Sequence, residues 1–218
     1  RFDLFDSPGL EQAVWKAAAP GARPEALAAL DLGGTDLDLV VAGSFTSSPF
    51  TSPALSSRGG RDVFVARFAP DFASNSQPLA AVSLGGPGDE RVRAVKSSFF
   101  ASPTTSPSNG VFVTGSFQGD RIRSSSGYCD SVEPGPPTKH SAFVLALDAD
   151  FQTRWLRGLG GSGDARGAAL GLGSDSLLFA GELRRTDAGG GLQLDQDANY
   201  DVETEFEAAF LAPLSYGE

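Results

Sequence analysis

The stretch "LGGSGDARGAALGLGSDSLLFAGEL", residues 159–183, begins with a Gly-rich turn and ends in an apolar segment centred on a glycine. A similar stretch, "LGGPGDERVRAVKSSFFASPTTSPSNGVFVTGSF", lies earlier, at residues 84–117. Both contain a turn, a short apolar segment, a loop and a Gly-centred strand in the same order. This shared order indicates an internal repeat, and a repeat of this kind determines the architecture of a chain.

Three series of anchor residues recur in one order along the chain, with a period of about 70 residues. They mark a Gly-rich turn (Gly21, Gly88, Gly163), a Gly-centred strand (Gly43, Gly115, Gly181) and a Phe-centred strand (Phe64, Phe143, Phe210). We therefore expect repeat units at 21–87, 88–162 and 163–218, the last one incomplete. Residues 1–20 are expected to hold the outer strand of a further, incomplete unit.

Each unit contains about four candidate strands separated by clusters of Gly, Pro, Ser and Asn. In the first unit these strands are 25–32, 37–45, 62–69 and 77–84, and in the second 91–99, 109–117, 141–149 and 153–159. In the segment 109–117, Val111 and Val113 point to one side, and Phe112 and Thr114 point to the other. Two apolar or small faces predict a sheet that is covered on both sides.

Four-stranded antiparallel sheets that stack face to face around an axis form a β-propeller. We therefore predict an all-β fold, a β-propeller with about three blade equivalents in this chain. The repeated glycines Gly43, Gly115 and Gly181 are expected where a neighbouring sheet or backbone approaches closely. Because propellers usually have at least four blades, we expect either a part of a larger ring or two copies that exchange terminal strands head to tail.

The segments "AFVLALDADFQTRWLRGLG" and "GGSGDARGAALGLGSDSLLFAGEL", residues 142–160 and 160–183, carry a resemblance to a known family. They resemble the bacterial SBBP-type β-propeller repeat, which has a Phe-Val-x-x-Leu-Asp strand, a Trp-containing strand, a Gly-Gly-x-Gly-Asp turn and a Val-x-Val-Thr-Gly strand. The resemblance covers most of the chain, and Trp15 is a counterpart of Trp155. It implies a propeller fold and a secreted or cell-surface location.

The composition excludes several classes of partner. The net charge is -10 and the sequence has no basic stripe, so we expect no nucleic-acid partner. No apolar run reaches the roughly 20 residues that span a bilayer, so we expect no membrane insertion. Cys129 is the only cysteine, which excludes an internal disulfide bond.

An acidic segment, "DQDANYDVETE" (195–205), is the candidate metal site. Ca²⁺ takes six to eight oxygen ligands, which a D-x-D-x-N-x-D loop supplies in part. Tyr200 stands where an EF-hand loop has glycine, so a solvated acidic loop is the alternative interpretation. The candidate Ca²⁺ ligands are Asp195, Asp197, Asn199 and Asp201; no other cofactor is predicted.

Asp89 and Asp164 follow glycines in equivalent turns, where a carboxylate most often caps backbone N–H groups. Catalysis by His140, the only histidine, is not expected, because no Gly-x-Ser-x-Gly motif accompanies it. The long inserts 46–61, 118–140 and 184–205 interrupt the units. The segments 44–57 and 99–110 are rich in Ser, Thr and Pro and favour flexible surface connections. Phe45 and Phe50 are expected to pack against sheets.

These features favour a non-enzymatic binding or structural module, secreted or on the cell surface. Its long rim loops would contact a protein, a glycan or further copies of the chain. The alternative is a propeller-based metal-dependent hydrolase or lyase that uses the carboxylates of the acidic segment. A convergent group of carboxylates near the central axis would distinguish the second function from the first.

Overall fold

The computed structural model describes residues 21–33, 37–69, 77–100, 108–119, 121–126, 139–161, 163–173, 176–184, 192–194, 198–200 and 208–215. These residues form an all-β fold whose paired strands are all antiparallel. They contain no helix, so the described residues include no helix that is long and apolar enough to cross a membrane. The fold class is thus confirmed at the level of antiparallel β structure.

The strands lie close to the positions that the sequence predicts. They are β1 (Ala22–Leu30), β2 (Asp38–Phe45), β3 (Asp62–Phe68), β4 (Ala80–Gly85), β5 (Glu90–Phe100), β6 (Ser108–Gln118), β7 (Arg123–Ser124), β8 (His140–Asp148), β9 (Thr153–Gly161), β10 (Asp164–Leu172), β11 (Ser176–Arg184), β12 (Leu192–Leu194), β13 (Ala198–Tyr200) and β14 (Ala208–Ser215). The three short strands β7, β12 and β13 lie in the long inserts and were not predicted.

The strands form three sheets. Sheet 1 has the order β1-β2-β3-β4-β7, sheet 2 the order β13-β12-β9-β8-β6-β5, and sheet 3 the order β10-β11-β14. The described strands form neither a closed barrel nor a closed ring. Each sheet is built from consecutive strands of one repeat unit, and sheets 1 and 2 gain short strands from the insert of the following unit.

Sheet 2 is buried on both faces. Val111 and Val113 of β6 pack into a core shared with sheet 1, whereas Phe112 of β6 and Val144 of β8 pack into a core shared with sheet 3. The alternation along the strand therefore assigns each side chain to one of two cores. The prediction of two buried faces is confirmed for this sheet.

The outer face of sheet 1 is covered differently, by the insert between β2 and β3. Phe50 and Leu55 of this insert are buried against β3, and the Phe50 ring contacts the rings of Phe64 and Phe68 edge to face at 5.6 and 5.9 Å. The packing role predicted for Phe45 and Phe50 is confirmed. The expectation of a flexible surface connection is wrong for this part of the insert, because two of its apolar side chains complete a core.

A β-bulge at the same place in each sheet accounts for the repeated glycine of the second strand. One extra residue interrupts the register of the first strand, between Pro24 and Ala26 in sheet 1 and at the equivalent points of sheets 2 and 3. A Cβ atom on Gly115 would lie 1.8 Å from the carbonyl oxygen of Arg91 in the bulged strand. The close approach was predicted, and its source is the neighbouring strand of the same sheet.

We expect Gly115→Val to destabilise the fold by about 1–3 kcal/mol, because the bulged backbone of β5 must shift to admit the side chain. Gly171→Ala is the matched control, since its Cβ would meet only Leu178 at an ordinary 3.4 Å. The control should stay within about 0.5 kcal/mol of the wild type in urea unfolding. Equal effects of the two substitutions would contradict this account of the bulge.

Candidate functional site

The junction between sheets 1 and 2 is held by backbone hydrogen bonds between two Gly-rich segments. The Gly60 N–H donates to the Gly88 carbonyl oxygen at 3.0 Å, and the Glu90 N–H donates to that of Arg61 at 2.6 Å. The Asp89 carboxylate accepts the Arg61 N–H at 2.9 Å. The predicted role of Asp89 in binding a backbone N–H is therefore confirmed, and the donor belongs to the preceding sheet.

The junction between sheets 2 and 3 repeats this contact with Asp164. Its Oδ1 accepts the His140 backbone N–H at 2.7 Å and lies 3.2 Å from the His140 ring Nδ1. Partial burial raises the pKa of Asp164, but the hydrogen bonds of His140 and the charge of Arg166 outweigh it, so the net shift is downward. His140 thus holds a turn carboxylate, as Arg61 does in the other junction.

Two carboxyl groups, Asp62 and Glu90, face each other in the first junction. Both residues are fully buried. One Asp62 oxygen accepts the Arg58 backbone N–H at 2.6 Å. The other three carboxyl oxygens are buried, and no described donor forms a well-aligned hydrogen bond to them. An acid pair in this setting needs a proton to offset its charge, because burial without compensation is costly.

The pKa values follow from this arrangement. Burial, followed by the contact with Asp62, raises the pKa of Glu90 to about 9. Burial also raises the pKa of Asp62, while the Arg58 N–H opposes the shift. At neutral pH Glu90 therefore carries a proton, so that the acid pair holds a proton that lowers its net charge.

Glycines surround the acid pair and leave room for it. A Cβ on Gly85 would lie 2.4 Å from the Asp62 carboxyl carbon, and a Cβ on Gly86 would lie 3.4 Å from Glu90 Oε1. The guanidinium group of Arg58 is engaged elsewhere, with the carbonyl oxygens of Arg123 and Ser124 at 2.8 and 3.3 Å. Arg58 therefore gives Asp62 a backbone hydrogen bond but directs its side chain to β7.

The second junction shows that the acid pair is not needed to stack two sheets. In the repeat register, Ser141 stands where sheet 1 has Asp62, and Ala165 stands where sheet 2 has Glu90. Ser141 and Ala165 are both buried. The second junction lacks both acids, so neither acid is required for two sheets to stack.

The chemistry open to this pair is limited by its burial. Neither carboxyl group is exposed to solvent, so a substrate does not reach it in this conformation. Within the described residues, no group of three or more His, Cys, Asp or Glu side chains has the arrangement of a metal site. The pair can therefore hold and release a proton, and we treat it as the candidate functional site.

The predicted Ca²⁺ ligands lie mostly outside the described residues. Asp195, Asp197 and Asp201 are among those not described, and Asn199 lies in β13, whose backbone pairs with β12. The Ca²⁺ site, the solvated acidic loop and the hydrolase or lyase that would use these carboxylates remain predictions. Cys129 also lies outside the described part of the chain.

The insert between β6 and β8 links sheets 1 and 2 a second time. Its strand β7 pairs with the end of β4, and the adjacent Ile122 is buried in the core between the sheets. The Thr153 hydroxyl group at the start of β9 donates to the Ser124 hydroxyl oxygen at 2.6 Å. Part of this insert therefore has a structural role.

Three comparisons with known proteins complete the description of this antiparallel all-β protein. No protein-family model, no curated protein and no solved structure matched the chain.

The sequence contained a signal for the acid pair that single residues do not show. Aligned turns read "GGPGDE" and "GGSGDA", and aligned strand starts read "RDVFV" and "HSAFV". Each difference places an acid in one junction and a small residue in the other. Comparing the repeats position by position would have found Asp62 and Glu90; their contact required the structure.

The raised pKa of Glu90 predicts a specific dependence of stability on pH. Because the folded pKa is about 9 and the ordinary value is 4.5, the stabilisation from this group is complete below pH 4.5. It decreases as the pH rises toward 9, by at most about 1.4 kcal/mol per pH unit. The raised pKa of Asp62 acts in the same direction. We expect the free energy of urea unfolding to decrease between pH 5.5 and pH 9, within roughly the window that these values define.

Glu90→Gln keeps the shape of the side chain and removes its titration, so this variant should lose most of the decrease. Glu182→Gln is the matched control because Glu182 is exposed on β11, and it should keep the wild-type dependence. A decrease of the same size in Glu90→Gln would contradict the interpretation that Glu90 carries the proton of the acid pair.

Proposed function

We propose that this chain is part of a β-propeller that acts as a non-enzymatic binding or structural module. The observation that carries the proposal is that the described parts of the three long inserts lie at the same end of the sheets. The insert after β2 connects the ends of β2 and β3, and β7 from the next insert pairs with Leu84 and Gly85 at that end of sheet 1. Likewise, β12 pairs with the end of β9 in sheet 2.

The relation between the sheets supports the propeller interpretation. The first strand of each following sheet makes the junction: β5 packs against β1, β2 and β3, and β10 packs against β5, β6, β8 and β9. A succession of antiparallel sheets with first strands as neighbours is typical of blades around an axis. The repeated bulge gives each first strand the same bend.

A rim that carries all the long inserts is suited to contacting a protein, a glycan or another copy of the chain. Some described residues of the inserts cover or link sheets. In this proposal the other insert residues, including 127–138, contact the partner. A secreted or cell-surface location is part of this proposal. It is supported by the resemblance to the SBBP-type repeat and by the net charge of -10.

The proposal can be tested with a glycan array and with sedimentation velocity for self-association. The test variant replaces residues 127–138 by a Gly/Ser segment of equal length and retains β7. The control replaces residues 70–76, in the connection at the opposite ends of β3 and β4, in the same way. We expect the test variant to bind its glycan, or its second copy, about tenfold more weakly, which corresponds to about 1.4 kcal/mol. The control should bind as the wild type does.

The same glycans should remain uncleaved with and without added Ca²⁺. Metal-dependent release of sugar products would contradict the non-enzymatic proposal and favour the hydrolase or lyase. Unchanged binding after replacement of residues 127–138 would contradict a role of this insert. Thermal unfolding of both variants checks that the replaced segments leave the fold intact.

A further inference from the structure

The bulges align the first strands of the three sheets residue by residue. The extra residue is Glu25 in β1, Arg93 in β5 and Ala168 in β10. Two positions after it stand Leu27, Val95 and Leu170, which are therefore equivalent.

These three equivalent residues differ sharply in burial. Val95 is 5% exposed in the core shared with sheet 1, and Leu170 is 6% exposed in the core shared with sheet 2. Leu27 is 61% exposed. The position that sheets 2 and 3 bury against a preceding sheet is thus open in sheet 1.

The second strands of the three sheets also contain a set of equivalent residues, and in this set the exposed residue belongs to sheet 3. Three residues before the repeated glycine stand Val40, Phe112 and Leu178. Val40 and Phe112 are 0% exposed because each faces the following sheet, whereas Leu178 is 37% exposed. Sheet 3 therefore presents, on β11, a face that the other two sheets bury.

The two open faces are the halves of one further junction. In the first junction β2 packs against β5, and in the second β6 packs against β10. The equivalent strands for a third junction are β11 on one side and β1 on the other. Phe50 and Leu55 cover sheet 1 over β3, and Leu27 shows that the face of β1 stays open.

We propose that a second copy of this chain docks head to tail, with the Leu178 face of sheet 3 on the Leu27 face of sheet 1. Two copies make two such junctions and close six sheets into a ring, within the range of four to eight blades that propellers have. This inference rests on the proposed propeller and deepens it, because it names the partner and the contacting faces. Apolar positions that the internal junctions bury are the reason for the association.

Sedimentation velocity and light scattering of the whole chain test the inference. The wild type should have about twice the chain mass of 22.5 kDa. Leu27→Glu and Leu178→Glu should each weaken the dimer at least about tenfold, because each places a charge in both junctions of the ring. Leu79→Glu is the matched control: Leu79 is exposed, but it precedes β4, which is separated from β1 by two strands of sheet 1, so this variant should remain dimeric.

A mixture of Leu27→Glu and Leu178→Lys chains gives the sharper result. In a mixed ring one junction keeps both leucines and the other sets a glutamate against a lysine, so mixing should restore much of the dimer that each variant alone has lost. If a variant does not fold, Leu27→Cys and Leu178→Cys chains, each with Cys129→Ser, replace it. A short bis-maleimide should link the two different chains to each other and should link neither chain to itself.

A folded wild-type chain that stays monomeric at its highest soluble concentration would overturn the inference, as would variants with wild-type dimerisation. Mixed variants that fail to recover would also overturn it, since they would show a contact other than head to tail. The dimer and glycan binding are measured separately. A monomer that binds glycan through residues 127–138 contradicts the head-to-tail dimer but not the proposed function. A dimer that is unchanged when residues 127–138 are replaced agrees with the head-to-tail dimer, because the two contacting faces lie outside that insert.

Discussion

The hydrogen bonds between the Gly-rich segments of successive units are the constraint on which the stacking depends. Side-chain packing alone would allow one sheet to slide on another, because apolar contact is not directional. The bonds from Gly60 to Gly88 and from Glu90 to Arg61 fix the register of sheet 2 on sheet 1. They require backbones so close that a Cβ on Gly59 would lie 2.2 Å from the Gly86 carbonyl oxygen. The glycine at this position is thus a consequence of the junction.

The two junctions differ in the acid pair, which is present between sheets 1 and 2 and absent between sheets 2 and 3. Asp164 and His140 hold sheets 2 and 3 with Ser141 and Ala165 beside them, and there no buried charge needs compensation. Where Asp62 and Glu90 stand instead, the desolvation of a second negative charge exceeds what the surrounding donors offset, and a proton remains bound. The first junction therefore responds to pH in a way that the second, which lacks the pair, does not.

The strand positions followed from the sequence because period-two apolar patterns and turn residues act locally. The predicted strand at 109–117 and the observed β6, Ser108–Gln118, differ by one residue at each end. The strands β7 and β12 could not be predicted in this way, since their pairing depends on an edge supplied by another unit. Phe50 was expected to pack, but its position over Phe64 depends on the path of the insert. The acid pair likewise joins residues that only the stacking brings together.

The outermost faces differ from the internal ones in polarity as well as in exposure. Position 182 is a glutamate, whereas its equivalents Ser44 and Ser116 are buried and small. Glu182 stands opposite Arg166 in the register of sheet 3, so an oppositely charged residue is its cross-strand neighbour. Covering this face would cost more desolvation than closing an internal junction, because charged groups must leave water. A contact made there is accordingly weaker than the two within the chain, and its apolar centre at Leu178 must supply most of the affinity.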